Sequence, residues 1–153
     1  MKPLRVLFIC IHNSARSQIA EALLRQRYGD AVEVESAGLS PGKLNPLAIA
    51  VLGEVGIDIS KKGTQSVEDV ITSGRTFTHV VTVCDEASAE RCPSFPGRAT
   101  RLHWGFKDPS EFPGSWDERL AQTREVREQI QGKIEEWCTV NYNELNVLET
   151  EPA

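Results

Sequence analysis

Val6-Leu7-Phe8-Ile9-Cys10-Ile11-His12-Asn13-Ser14-Ala15-Arg16-Ser17 decides the fold. A short, continuous apolar run ends on a thiol, a polar turn follows, and a helical pattern begins behind it. A run of this length bounded by turn residues reads as a strand covered on both faces. Residues 4–9 are therefore expected as a buried strand. Residues 17–28 are expected as a helix, with Ile19, Ala20, Leu23, Leu24 and Arg27 at helical spacing and Gly29 as its stop.

The same alternation continues outward. Residues 32–36 alternate apolar and acidic side chains, a strand with one face near solvent, and residues 37–44 hold Gly38, Pro41 and Gly42 and read as a loop. Asn45-Pro46 starts a second helix, Asn45 capping and Pro46 at the first helical position, with its end expected near Gly56. Residues 67–73 form a short helix, residues 79–83 a second strongly apolar strand, and residues 101–103 a weak fourth strand. The longest helix spans residues 116–141, with Trp116, Leu120, Val126, Ile130, Ile134 and Trp137 along one stripe. Strands alternating with helices imply an α/β domain: a central four-stranded parallel sheet flanked by helices. No repeat or linker interrupts it. One domain over residues 1–142 and a tail from 143 to 153 are expected.

Bulk numbers narrow the function classes. The chain has 153 residues, 40% hydrophobic and 25% charged, which suits a single core. A net charge of −5 argues against a nucleic-acid partner, so any anion site must be built locally. The opening residues are too short for a secretory leader, and no stretch is long and apolar enough to span a bilayer, so a cytoplasmic monomer with no membrane contact is expected. In that compartment Cys10, Cys84, Cys92 and Cys138 read as catalytic, redox or core thiols rather than as staples.

Cys10 lies at the carboxyl end of its strand, where ligands of parallel sheets bind. Attack by sulfur needs the thiolate, and a free cysteine is mostly protonated at neutral pH. Two features favour the anion: the loop feeds the positive end of a helix, and Arg16 adds a charged fork that can grip two oxygens of a tetrahedral anion. Ser17 can donate a hydrogen bond to the sulfur. Asn13 tolerates the left-handed backbone that lets successive N–H groups converge. Ile11, His12, Asn13, Ser14, Ala15, Arg16 and Ser17 are thus the expected oxyanion cradle. The Cys10-to-Arg16 spacing alone also fits a core cysteine beside an incidental arginine; the polar strand–loop–helix context favours the anion site.

Seven residues separate Cys84 from Cys92. As a helix they would set the two Cα atoms about 12 Å apart at ~1.5 Å per residue, whereas a disulfide needs ~4.4–6.8 Å. The pair can bridge only if the segment unwinds. Two buried thiols or a pair of zinc ligands are the alternatives, but zinc sites favour two to four intervening residues and no other cluster completes one.

Cys10-Ile11-His12-Asn13-Ser14-Ala15-Arg16-Ser17-Gln18 resembles the phosphate loop of the low-molecular-weight protein-tyrosine phosphatase fold. Ser36-Ala37-Gly38, Ile57-Asp58-Ile59-Ser60, Val81-Thr82-Val83-Cys84-Asp85, Cys92-Pro93 and His103-Trp104-Gly105-Phe106-Lys107-Asp108-Pro109 extend the likeness, and within that fold they resemble the thioredoxin-coupled arsenate reductases. The resemblance implies a relay: Cys10 attacks arsenate, Asp108 protonates the leaving oxygen, Cys84 attacks Cys10, Cys92 attacks Cys84, and thioredoxin reduces the resulting disulfide. It implies no tightly bound cofactor, with phosphate and sulfate as substrate analogues. It also brings a potassium site at positions matching Asn13, Glu21 and Ser36. The aspartate that completes that site falls near Ser66 only after an insertion, so no strong potassium site is expected.

The chain departs from the pattern in places. His12 stands where the phosphatases carry glycine and is expected to face solvent. Position 15 is alanine, so the loop holds no second thiol. Cys138 beside Trp137 reads as a small hydrophobe at the core's edge. A tyrosine phosphatase is the rival, but it leaves Cys84 and Cys92 without roles and wants a tyrosine where Ser110 stands. A redox-sensing, anion-binding module is the non-enzyme alternative.

Overall fold

The computed structural model describes residues 4–85 and 95–140. Four strands form one parallel sheet: β1 (Leu4–Cys10), β2 (Val32–Gly38), β3 (His79–Thr82) and β4 (Thr100–His103), in the order β2-β1-β3-β4. Helices α1 (Arg16–Tyr28), α2 (Pro46–Gly53), α3 (Val67–Thr72) and α4 (Trp116–Val140) alternate with the strands and follow them.

β1 is central, and its alternating side chains feed two cores. Val6, Phe8 and Cys10 join residues of α1, α2 and α4, while Leu7 and Ile9 join Val67 and Val70 of α3. That is why β1 reads as an unbroken apolar run, each fully buried Leu, Ile or Phe contributing roughly 1.5–3 kcal/mol. From β1 the chain goes to β2 on one side and later to β3 on the other. The reversal places the loop after β1 in the crevice where such sheets bind ligands.

The α/β parallel architecture agrees with the expectation, and its differences are local. β1 runs on to Cys10 and α1 begins at Arg16. β2 continues through Ala37 and Gly38, expected as loop, because Ala37 and Gly38 pair with Ile9 and Cys10. α2 stops at Gly53, short of Gly56: glycine weakens the helix, and the next residue, Glu54, is held by α4. Trp116 does not join the α4 stripe. It is 46% exposed because α4 first packs on the core one turn later, at the partly buried Leu120; the fully buried line then runs Thr123, Val126, Ile130, Ile134 and Cys138, with Trp137 packed beside it. Cys138 sits in the core as expected, and burial pushes its thiol up. The expected tail from 143 onward lies outside the described residues.

Glu54 ties α2 to α4. Its carboxylate accepts from Arg124 Nε and Nη2 at 2.9 and 2.6 Å and from Arg127 Nη1 at 2.7 Å. The Arg124 hydrogen bonds do most to hold the Glu54 carboxyl down to about 2 from an ordinary 4.5; burial opposes them, and the Arg127 hydrogen bond and the charges of both arginines add to the lowering. A carboxyl lowered in the folded state stabilises the fold above its unfolded value and loses that contribution as pH falls through its folded value. The tie is therefore complete above pH 4.5 and is lost towards pH 2. In acid denaturation followed by circular dichroism, Glu54→Gln is expected to be less stable than the parent at pH 6, with the difference shrinking as pH approaches 2.

Candidate active site

The loop between β1 and α1 is shaped by its backbone partners. The carbonyls of Cys10, Ile11, His12 and Ser14 accept from the N–H groups of Leu39, Ser40, Gly42 and Asn45 at 3.1, 2.8, 3.0 and 2.9 Å. The Asn13 carbonyl accepts from Gln18 Nε2 at 3.0 Å. Every carbonyl from residue 10 to 14 is thus engaged by a protein donor outside the loop. A tight turn with its carbonyls drawn outward presents its N–H groups inward, the geometry of an anion nest at a helix start. Asn13 has φ 54°, the left-handed conformation its sequence position suggested.

The segment supplying those donors approaches so closely that β2 must end in glycine. A β-carbon on Gly38 would stand 2.6 Å from Asn13 N, 2.8 Å from His12 C and 2.8 Å from Ile11 O. Sequence reading placed Gly38 in a loop and gave it no role. Its signal was the glycine that closes the Ser36-Ala37-Gly38 block, whose meaning is legible only once β2 is seen to flank β1.

A directed chain of hydrogen bonds ends on the Cys10 sulfur. Asn13 Nδ2 has two hydrogens, one given to Ser36 Oγ and one to Ser17 Oγ, each at 2.9 Å. Ser36 in turn donates to Glu21 Oε1 at 2.5 Å. Ser17 Oγ, which accepts from Asn13, lies 2.9 Å from Cys10 Sγ, and once the sulfur is a thiolate only the hydroxyl has a hydrogen to give to that bond. Asn13 N donates to the same sulfur at 3.0 Å. Two donors converging on one sulfur suit a negatively charged nucleophile. Asn13, Ser17 and Ser36 are completely or almost completely buried, so water does not compete for these bonds.

Lys62 supplies the cation behind this network. Its Nζ lies 2.8 Å from Glu21 Oε1 and 2.7 Å from Gln18 Oε1. Glu21 also accepts Arg25 Nη2 at 2.8 Å. Of the Asn13, Glu21 and Ser36 trio matched to a potassium site, the carboxylate is thereby served by the chain's own ammonium, and Asn13 turns its amide N–H groups, not its oxygen, toward Ser36. Among the described residues no cluster of three His, Cys, Asp or Glu could hold a metal ion. Sequence reading missed Lys62 because it lies 41 residues from Glu21 in a loop with no periodic signal. Lys62→Met leaves a nearly buried carboxylate short of one partner, and breaking such a pair costs up to about 3–5 kcal/mol when fully buried, less here because Lys62 is partly exposed. A fall in melting temperature of several degrees and a roughly tenfold loss of Cys10 reactivity toward iodoacetamide are expected. Activity of the parent chain is expected to be indifferent to potassium at constant ionic strength.

Arg16 joins the anion loop to the expected acid. It is buried, donates from Nη1 to the Phe106 carbonyl at 3.0 Å, and places Nη2 3.5 Å from Asp108 Oδ2. Asp108 accepts Ser110 N at 2.9 Å on its other oxygen, capping a short turn at Pro109–Glu111. The segment before it is fixed by apolar anchors: Phe106 is buried, and Trp104 packs its ring on Phe8 and Trp137 at centroid distances of 5.8 and 6.1 Å. Ser110, where a tyrosine phosphatase would want an aromatic wall, is exposed.

Cys84 follows β3 on the neighbouring strand and is fully buried. Val83 N donates to Ile9 O at 3.0 Å, which sets the end of β3 against the end of β1 one residue before each cysteine. Cys92 lies outside the described residues, as does the segment expected to unwind. His12 is exposed, with Nδ1 3.0 Å from the Ser40 carbonyl, in keeping with a solvent-facing side chain.

Residues 5–147 match the family of low molecular weight phosphotyrosine protein phosphatases. The chain belongs to this family. Within it, the chain is 39% identical over 133 residues to the arsenate reductase of Bacillus subtilis (strain 168), covering 87% of this chain and 94% of that one. It is 39% identical over 130 residues to the arsenate reductase of Staphylococcus aureus (strain Newman), covering 85% and 92%. Among solved structures it resembles an arsenate reductase in the phosphate binding state, with a TM-score of 0.72, 27% identity and coverage of 89% and 97%. It also resembles a thioredoxin-dependent arsenate reductase of Corynebacterium glutamicum, with a TM-score of 0.65, 33% identity and coverage of 95% and 64%. The fold of this phosphatase family is therefore the observed one, and both of these sequence relatives are arsenate reductases.

Proposed function

We propose that this member of the phosphatase family is an arsenate reductase that works through three thiols, two of which supply the electrons, with thioredoxin as the external reductant. The observation that carries the reading is the pairing of an anion cradle around Cys10 with a second buried cysteine, Cys84, at the adjacent strand end. A phosphatase needs the first and has no use for the second.

The chemistry balances with the residues present. Cys10 thiolate attacks arsenic, and a protonated Asp108 gives its proton to the leaving oxygen, which departs as water. The thiol–arsenate adduct is held by Arg16 and the inward N–H groups. Cys84 thiolate then attacks Cys10 sulfur: an S–S bond forms, the S–As bond breaks, and its electron pair stays on arsenic, which leaves as arsenite. Cys92 thiolate attacks Cys84, expelling Cys10 as thiolate. Two thiols have been oxidised to one disulfide for one two-electron reduction of arsenic. Each thiol step is ordinary exchange at an activated sulfur. A dithiol such as thioredoxin resets the enzyme.

Asp108→Asn keeps the turn cap but cannot donate a proton, so turnover is expected to fall about a hundredfold while Cys10 alkylation by iodoacetamide is nearly unchanged. Among the described residues no helix is long and apolar enough to cross a membrane. The deciding assay is thioredoxin-coupled NADPH consumption with arsenate, run beside hydrolysis of para-nitrophenyl phosphate. Sustained, arsenate-dependent consumption supports the reductase. Hydrolysis without it supports the phosphatase.

A further inference from the structure

Gln18 is fully buried, and its amide is turned wholly toward the anion loop and the segment behind it. It is the third residue of α1, and side chains on a helix lean toward its start, so this one reaches back along the loop. Its Nε2 lies 3.0 Å from the Asn13 carbonyl, 3.2 Å from Asn13 Oδ1 and 3.2 Å from the Gly63 carbonyl. Its Oε1 accepts Lys62 Nζ at 2.7 Å. Two hydrogens thus serve three oxygens, and the oxygen faces an ammonium. Only this orientation of the amide suits its surroundings. Turned over, its oxygen would face three oxygens and its N–H groups would face the ammonium.

Asn13 is the residue this amide governs. It too is fully buried, and each of its polar atoms has a partner. Asn13 Oδ1 accepts Gln65 N at 3.0 Å as well as Gln18. With that oxygen held, Nδ2 faces Ser17 and Ser36. The carbonyls of Cys10, Ile11, His12 and Ser14 are drawn outward by main-chain N–H groups, and that of Asn13 by the Gln18 side chain. The peptide from Asn13 to Ser14 is trans, so its N–H points away from its carbonyl. Drawing the carbonyl to Gln18 therefore turns Ser14 N–H toward the inside of the cradle. The left-handed backbone of Asn13 is disfavoured for a residue with a side chain and persists only where its surroundings hold it.

We propose that Gln18 is a positioning residue for the anion cradle: it locks the Asn13–Ser14 peptide so that Ser14 N–H is presented to the bound oxyanion. It acts through Asn13 rather than on the anion itself. The role rests on the reading of the Cys10 loop as an oxyanion site, and it holds whether the captured anion is reduced or hydrolysed.

The test titrates the parent chain, Gln18→Met and Gln18→Glu with inorganic phosphate. Binding is read from protection of Cys10 against iodoacetamide, and geometry from the backbone amide resonance of Ser14 in isotope-labelled protein. Gln18→Met keeps the length of the side chain but has nothing to donate. Gln18→Glu keeps the acceptor for Lys62 and, ionised beside that ammonium, also loses both donors; it decides the matter should Gln18→Met fail to fold. Both variants are expected to bind phosphate about tenfold more weakly. The Ser14 resonance, shifted by phosphate in the parent, is expected to lose most of that shift even at saturating phosphate. A merely structural role would lower the melting temperature and leave the shift at saturation intact. A parent-like Ser14 shift at saturation, or parent-like phosphate affinity, therefore overturns the role. A parent chain whose Cys10 gains no protection from phosphate overturns the oxyanion reading of the loop and this role with it.

Discussion

Gly38→Ala is expected to abolish protection of Cys10 by phosphate while leaving the sheet folded. The added methyl would meet Asn13 N at 2.6 Å and two other backbone atoms of the loop at 2.8 Å, all of them main chain and none able to swing aside. Either the end of β2 withdraws, or the loop does. Withdrawal strains the bonds from Gly38 N to Gln65 O and from Leu39 N to Cys10 O. A shift of the loop disturbs Asn13, whose N–H reaches the Cys10 sulfur. Overpacking of this kind costs about 1–3 kcal/mol, which a domain of this size survives. Displacing a reacting group by about 1 Å costs on the order of a hundredfold in rate. The expected result is a cooperative thermal transition lowered by a few degrees, loss of phosphate protection of Cys10 against iodoacetamide, and a fall in kcat/KM for arsenate of a hundredfold or more. Parent-like protection by phosphate would show that the cradle does not depend on this close approach.

Cys92→Ser protein is expected to make one arsenite per chain and then stop, even with thioredoxin present. Cys84 can still attack the Cys10 adduct, but the product is a Cys10–Cys84 disulfide between two residues that are both buried. Without a third thiol nothing inside the protein frees Cys10, and an external dithiol must reach a sulfur with no exposed surface. Steady-state thioredoxin-driven turnover should drop by at least a thousandfold, with a single burst remaining in a rapid-quench measurement. Continued turnover would remove Cys92 from the relay.

What was legible in the sequence follows from how local each feature is. The passage from Val6 to Ser17 carries its own strand, turn and helix signals, so the loop that holds Cys10, Asn13 and Ser14 between β1 and α1 was readable from it. Asn13's left-handed backbone was legible because few other residues adopt it. The segment around Asp108 carries little local signal and was singled out only by its resemblance to the family's pattern; the burial of Trp104 and Phe106 shows what anchors it. The parts that escaped are those made by contacts distant in sequence. Gly38 matters only because β2 flanks β1, and Lys62 matters only because its loop folds under α1. Trp116 misled because helical spacing places a residue on a face but does not say where along the helix that face meets the core.

The central claim is that the cradle captures the oxyanion and that two further thiols supply the electrons. It is tested most directly by adding one equivalent of arsenate to the fully reduced chain without thioredoxin, quenching with acid, and mapping thiols and disulfides by mass spectrometry. The account predicts one arsenite per chain, a disulfide between Cys84 and Cys92, and Cys10 returned to the thiol. Three intact thiols with no arsenite formed would contradict it.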